Sequence, residues 1–285
     1  MTASSLRIPV GDLTFDAVAD GPADGVPVLL LHGFPESSWA WRDVQPGLAA
    51  AGFQTVAPDQ RGYSPDARPV DAGAYAIEEL VADALGIADH LGWDSFHVVG
   101  HDWGGVVAWH LAGRHAARVR TLAAVSTPHP QAFLDAKSAG PQADGEDQAA
   151  KSSYMDFFRA DGSEEVVVAD GSAVFRAALA GTGLDDESVD HYIAQHDTAE
   201  KARGLLNWYR GAQPDDGTRV GDVTVPTLYV WSDADAVFGR YAAEATAGHV
   251  TGPYRFETLA GVSHWIPEEA AGELTALLRD HLTIA

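Results

Sequence analysis

One short stretch of the chain frames a carboxylate with glycines: Gly100-His101-Asp102-Trp103-Gly104-Gly105, entered from the apolar run Phe96-His97-Val98-Val99. Small residues around a central polar side chain, between a strand and a helix, describe a nucleophile elbow. The turn is so sharp that a Cβ two places to either side would clash, which accounts for glycine at 100, 104 and 105. It lifts the central side chain above the sheet at a helix N-terminus, where backbone N–H groups favour negative charge. Two plainer readings compete. A dinucleotide loop needs G-x-G-x-x-G, which is absent here. A tight turn with a capping aspartate needs no chemistry beside it, and the neighbouring motifs argue against that. Asp102 is therefore the candidate nucleophile.

The elements that must position Asp102 are legible on both sides of it. Apolar, β-branched runs at 26–33, 53–59, 96–100 and 121–128 alternate with helical stretches, one of them over 104–115. The texture returns at 225–232 and 254–261 and closes with a helix over 268–281. Short buried strands separated by helices indicate an α/β fold, a mostly parallel sheet with helices on both faces. The middle is different. Residues 130–222 hold polar, turn-rich stretches such as 138–148, helical pieces and no convincing buried strand pair. Val166 to Asp170 reads as a strand by propensity or as a helix start after its acidic approach. The expected organisation is one core domain from 1–129 and 223–285, with a mostly helical cap over 130–222.

Three motifs in order, His32-Gly33-Phe34-Pro35-Glu36-Ser37, Asp59-Gln60-Arg61-Gly62-Tyr63-Ser64 and the elbow, resemble those of the epoxide hydrolases of the α/β-hydrolase fold. The resemblance spans nearly the whole chain, and the closely similar haloalkane dehalogenases share the elbow, including the Trp after Asp. It implies a base in the loop after the last strand, where His264 stands in Gly261-Val262-Ser263-His264-Trp265. The partner acid should end the preceding strand, at Asp233 or Asp235; the family pattern favours Asp235, with Ser232 where a glycine is common. The resemblance further implies an oxyanion hole from the backbone N–H groups of Phe34 and Trp103, with Pro35 cis. His32 would be structural, and the stretch from Asp59 to Ser64 a turn scaffold. Two cap tyrosines are expected to serve the leaving oxygen: Tyr209 in Leu206-Asn207-Trp208-Tyr209-Arg210 and, on a looser match, Tyr154 before Phe157-Phe158.

An aspartate at the elbow has its own chemical logic. Serine attacking an sp³ carbon would be left as an inert ether, whereas a carboxylate forms an alkyl ester whose carbonyl water can attack afterwards. The elbow thus points to alkyl electrophiles. The resemblance implies hydrolysis of an epoxide to a vicinal diol, with His264 as base and Asp235 holding its tautomer. No metal or organic cofactor is expected. The substrate should be a small apolar epoxide in a pocket lined by Phe34, Trp103, Phe157, Trp208 and Trp265, with Trp39 and Phe133 as further aromatic candidates.

Dehalogenation of an alkyl halide is the first alternative. Many dehalogenases hold the halide with an Asn after His-Gly, where this chain has Phe34; Trp208 could substitute, but the adjacent Tyr209 argues for an epoxide. A haloacid-type relative would carry Arg in place of Trp103. A ligand-binding or receptor-type protein with little turnover is the second alternative, and it has no need of Asp102, Asp235, His264, Tyr154 and Tyr209 together.

Composition narrows the partners. Among 285 residues, 18 basic against 41 acidic side chains leave a net charge of -23, which repels nucleic acid and anionic membranes. With no cysteine there is no disulfide, thiolate metal site or cysteine nucleophile. No apolar run reaches the roughly 18 residues of a membrane span, and the first residues lack a signal-peptide pattern. The expectation is a cytoplasmic protein, with a homodimer left open.

Overall fold

The computed structural model describes residues 3–143, 145–179, 182–212 and 219–284. Asp144, within the turn-rich stretch 138–148, lies outside them. Eight strands form one sheet: β1 (Ser4–Val10), β2 (Leu13–Asp20), β3 (Val26–Leu31), β4 (Phe53–Pro58), β5 (Phe96–His101), β6 (Val119–Val125), β7 (Thr227–Ser232) and β8 (Tyr254–Leu259). Their order is β1-β2-β4-β3-β5-β6-β7-β8. β1 and β2 pair antiparallel with each other and β2 antiparallel with β4; every other pairing is parallel.

The helices of the first half are α1 (Gln45–Ala50), α2 (Ile77–His90) and α3 (Trp103–Arg114). Between β6 and β7 the described residues form helices and no named strand: α4 (Pro130–Ala139), α5 (Gln148–Lys151), α6 (Tyr154–Arg159), α7 (Ser163–Leu179), α8 (Asp186–Gln195) and α9 (Ala199–Gly211). α10 (Arg240–Ala245), α11 (Ile266–Glu269) and α12 (Ala271–Leu282) complete the chain. Val166 to Val168 therefore lie in a helix. It breaks at once: Ala169 is extended and Asp170, Gly171 and Ser172 are left-handed, so α7 is two helices joined by a tight turn. β-propensity at Val166 to Val168 is overridden because no sheet edge lies alongside to pair with it.

Alternation along the central strands sorts two cores. Leu29, Leu31, Val98, Leu122 and Ala124 face α2 and α3, together with Leu205, Trp208 and Tyr209 of α9. Val28, Leu30, Val99, Ala123 and Val125 face the other way, against Leu48 of α1 and Leu274, Leu278 and Leu282 of α12. Burial on both faces is why these strands read as continuous apolar runs. α2 follows the helical period, burying Ile77, Leu80, Val81, Ala84, Ile87 and Ala88. α3 is buried almost all round, including Trp109, His110 and Leu111, because it packs against β3, β5 and β6 and against α2.

The strand order also fixes where a site can form. From the neighbouring strands β3 and β5, the chain crosses in opposite directions, to β4 on one side and to β6 on the other. Ligands of open α/β sheets bind in the crevice at the carboxyl ends of such strands. Gly33-Phe34 follows β3 and Asp102 follows β5 at that switch point. No helix among the described residues is long and apolar enough to cross a membrane.

Candidate active site

Asp102 has φ 47° and ψ −119°, a left-handed backbone that a non-glycine residue adopts only under constraint. The glycines around it supply the constraint. A Cβ on Gly100 would overlap the Gly104 carbonyl oxygen, one on Gly104 the Leu31 carbonyl, and one on Gly33 the Asp102 side chain itself. β3, β5 and the start of α3 approach too closely for any larger residue.

Asp102 is buried. Its Oδ1 accepts the Phe34 N–H at 2.8 Å, and the Phe34–Pro35 peptide is cis. Trp103 begins α3, so its amide belongs to the N–H groups that a helix leaves without an internal partner. The Nε2 of His264 stands 3.6 Å from Asp102 Oδ2, an ion-pair rather than a hydrogen-bonding distance. On the far side of the ring, His264 Nδ1 donates to Asp235 Oδ2 at 2.9 Å. Asp235 Oδ1 in turn accepts the amides of Val237 (2.6 Å) and Phe238 (3.0 Å). Asp233 lies apart, its carboxylate accepting the Gly261 N–H. The structure thus separates the two acids that the sequence left open.

Electrostatics match this line of groups. Burial opposes the charged form of Asp102, but His264, His101 and the Phe34 amide outweigh it and hold the carboxyl below its ordinary range. Burial alone would depress His264; the Asp235 and Asp102 carboxylates carry it well above the ordinary imidazole value. Both shifts favour a carboxylate beside an imidazolium.

Tyr154 of α6 and Tyr209 of α9 reach the same cavity as Asp102, their ring centroids 6.3 Å apart. Burial raises both phenols above their usual value. The Asp102 charge adds to this for both, while a hydrogen bond to Tyr209 partly offsets it for Tyr154. Both are protonated donors at neutral pH.

The cavity, about 720 Å³ counting its mouth, is walled by Trp103, Phe133, Met155, Val237 and Phe238 with Asp102 and the two tyrosines. Of the aromatic residues expected to line it, Trp103 and Phe133 do, and Phe34 instead packs behind Tyr209 at 5.1 Å. The other expected lining residues also stand away from it. Phe157 is 38% exposed on the outer side of α6. Trp208 points away from the cavity and donates its indole N–H to the Arg61 carbonyl at 2.7 Å, because neighbours on a helix diverge by about 100° and Tyr209 takes the inward direction. Trp265 covers His264 from behind, its indole N–H on Thr182 Oγ1 at 2.8 Å. Trp39 stacks on His191, under the Arg42 guanidinium.

Two further residues had no expected role. Glu36 accepts the Gly33 N–H at 2.6 Å and faces His101 Nδ1 at 2.8 Å, while His101 Nε2 donates to the His264 carbonyl at 2.9 Å. They tie the loop carrying Phe34 to the loop carrying His264. Both stand inside motifs that the sequence displays, but nothing short of the strand order shows that the two loops meet. His32, expected to be structural, hydrogen-bonds the Gly33 carbonyl and accepts the Gln60 N–H, pinning its loop to the turn after β4.

Comparison with known proteins agrees with this architecture. The profile of the alpha/beta hydrolase fold matches residues 26–271. Epoxide hydrolase A of Mycobacterium tuberculosis is 33% identical over 93% of this chain and 93% of its own. Among solved structures, an epoxide hydrolase from hot-environment metagenomes superposes with a TM-score of 0.86 at 28% identity, covering 100% of both chains. Epoxide hydrolase A from Mycobacterium thermoresistibile does so at 0.84 and 27%, covering 99% of each. The chain belongs to the α/β-hydrolase fold family and, within it, to the epoxide hydrolases.

Proposed function

We propose that this enzyme hydrolyses small apolar epoxides to vicinal diols through an ester on Asp102. The observation that carries the reading is a buried carboxylate at the elbow facing two protonated phenols across one cavity. An Asp102 oxygen attacks a ring carbon, the bond from that carbon to the ring oxygen breaks, and the departing oxygen takes a proton from Tyr209 or Tyr154. Esterification removes the Asp102 charge, and with it part of what holds the His264 proton. That proton returns to the tyrosinate, and the freed imidazole then takes a proton from water, whose oxygen adds to the ester carbonyl. The Phe34 and Trp103 amides stabilise the resulting oxyanion. Collapse expels the diol oxygen, which takes the proton from His264, and the Asp102 carboxylic acid then passes its own proton to the imidazole, regenerating the starting pair. Each step uses side chains, backbone amides and water. Residues 130–222 act in this reading as a cap that brings both tyrosines over Asp102.

Dehalogenation uses the same first two groups but needs a pair of donors for the halide. The Trp208 indole is engaged outside the cavity, which leaves Trp103 without the partner that the dehalogenase reading required. A panel of matched epoxides and alkyl halides separates the readings. Diol should form at least about 100-fold faster than halide is released, the scale of an activated phenol's contribution. Halide release outpacing diol formation would reverse the assignment.

A further inference from the structure

Among the described residues, most of the wall of the cavity beside Asp102 lies to one side of it. That wall comes from the segments after β6 and β7, with Phe133, Val237 and Phe238 over a floor of Val106 and His110 from α3, and Ile77 of α2, Met155 of α6 and Ala212 after α9 also line the cavity. In the sheet these strands lie on one side of β5, and β3 lies on the other. On the β3 side stands an aromatic wedge. Phe34 packs against Phe158 (5.0 Å) and Phe175 (5.5 Å), and Phe158 lies 5.5 Å from Tyr154 and 5.0 Å from Tyr209. None of Phe34, Phe158 or Phe175 lines the cavity.

An epoxide held between Asp102 and the tyrosines has its carbon–carbon bond lying across that line. Substituents on its two carbons therefore point to opposite sides. One side opens onto the cavity and the other meets the wedge. Beyond Asp102 and the two tyrosines the cavity wall is mostly hydrocarbon, and the few polar side chains in it make bonds of their own. Thr127 donates to the Asp102 carbonyl, Ser152 accepts from Gln148, and the His110 ring bonds the Val106 carbonyl.

We infer that this site takes epoxides with hydrocarbon bulk on one ring carbon and closes, through Phe158 and Phe175, against bulk on both. This inference rests on the epoxide reading above and narrows its substrate class. Phe158 and Phe175 are specificity-determining residues and take no part in bond making.

Two isomers test it at equal composition: terminal epoxydecane and the mid-chain trans-epoxydecane, with propylene oxide as a substrate that needs neither arm. The wild type should prefer the terminal isomer by on the order of 100-fold in kcat/KM, the scale of one badly overpacked substituent. Phe158→Ala and the milder Phe158→Leu should narrow that ratio about tenfold or more by gaining on the mid-chain isomer. The ratio is insensitive to any general loss from disturbed tyrosines, and the leucine variant serves if the alanine variant does not fold. Equal rates on both isomers in the wild type would overturn the one-sided site while leaving epoxide hydrolysis intact. An unchanged ratio in folded variants would remove Phe158 from its role. Failure on all three compounds would strike the epoxide reading itself.

Discussion

Replacing His264 with alanine is expected to leave an enzyme that takes up one equivalent of epoxide and does not release it. Asp102 keeps its attack geometry, since the Phe34 amide and the glycine-framed turn hold it independently of the imidazole. The second step loses its only positioned base. General-base assistance contributes typically 10²–10⁴-fold, so turnover should fall by about that factor while alkylation persists. Intact mass should rise by one epoxide, and peptide mapping should place it on Asp102. Label on another residue, or no label with turnover retained, would sink the two-step scheme. The alkylation rate should drop modestly, because removing the imidazolium lets burial raise the Asp102 carboxyl.

The two phenols decide which electrophile the site is built for. Opening an epoxide places growing charge on oxygen, and a positioned phenol that donates a proton supplies about 10²–10⁴-fold. A departing halide is a weak base and gains little. Tyr209→Phe should depress alkylation strongly. The double change with Tyr154→Phe should nearly abolish it, since it removes both phenols that reach the cavity beside Asp102. Phenylalanine preserves the ring packing against Phe34 and Phe158, so each fold should survive with a loss of only about 1 kcal/mol. Stopped-flow alkylation rates and melting curves check both halves of this expectation. A double variant that opens epoxides at the wild-type rate would remove the tyrosines from the mechanism.

What the sequence displayed was governed by period and steric need. The doubly buried strands announced themselves as unbroken apolar runs, and the elbow as glycines around Asp102. The β1–β2 hairpin did not stand out, because its half-exposed residues mix polar and apolar types. Direction on a helix was the other weak point. Phe157 and Phe158 are adjacent and chemically alike, and only the packing of α6 against α9 shows that Phe158 turns inward. Trp208 and Tyr209 pose the same question. Asp233 and Asp235 both follow β7, and what distinguishes them is the turn that gives Asp235 the amides of Val237 and Phe238. The tie between Glu36 and His101 depends on β3 and β5 being neighbours, which follows from strand order rather than from any local pattern.

The central claim is that Asp102 itself forms and loses a bond to the substrate, and the fate of one oxygen atom tests it. In a single turnover with enzyme in excess, run in heavy-oxygen water, water attacks the ester carbonyl, so the oxygen that leaves with the diol is one of the aspartate's own. The first-turnover diol should therefore carry no label, and the heavy isotope should be found in the Asp102 carboxylate by peptide mass. Heavy oxygen in that first diol, with Asp102 unlabelled, would mean that water attacks the epoxide directly and that the carboxylate acts only as its base.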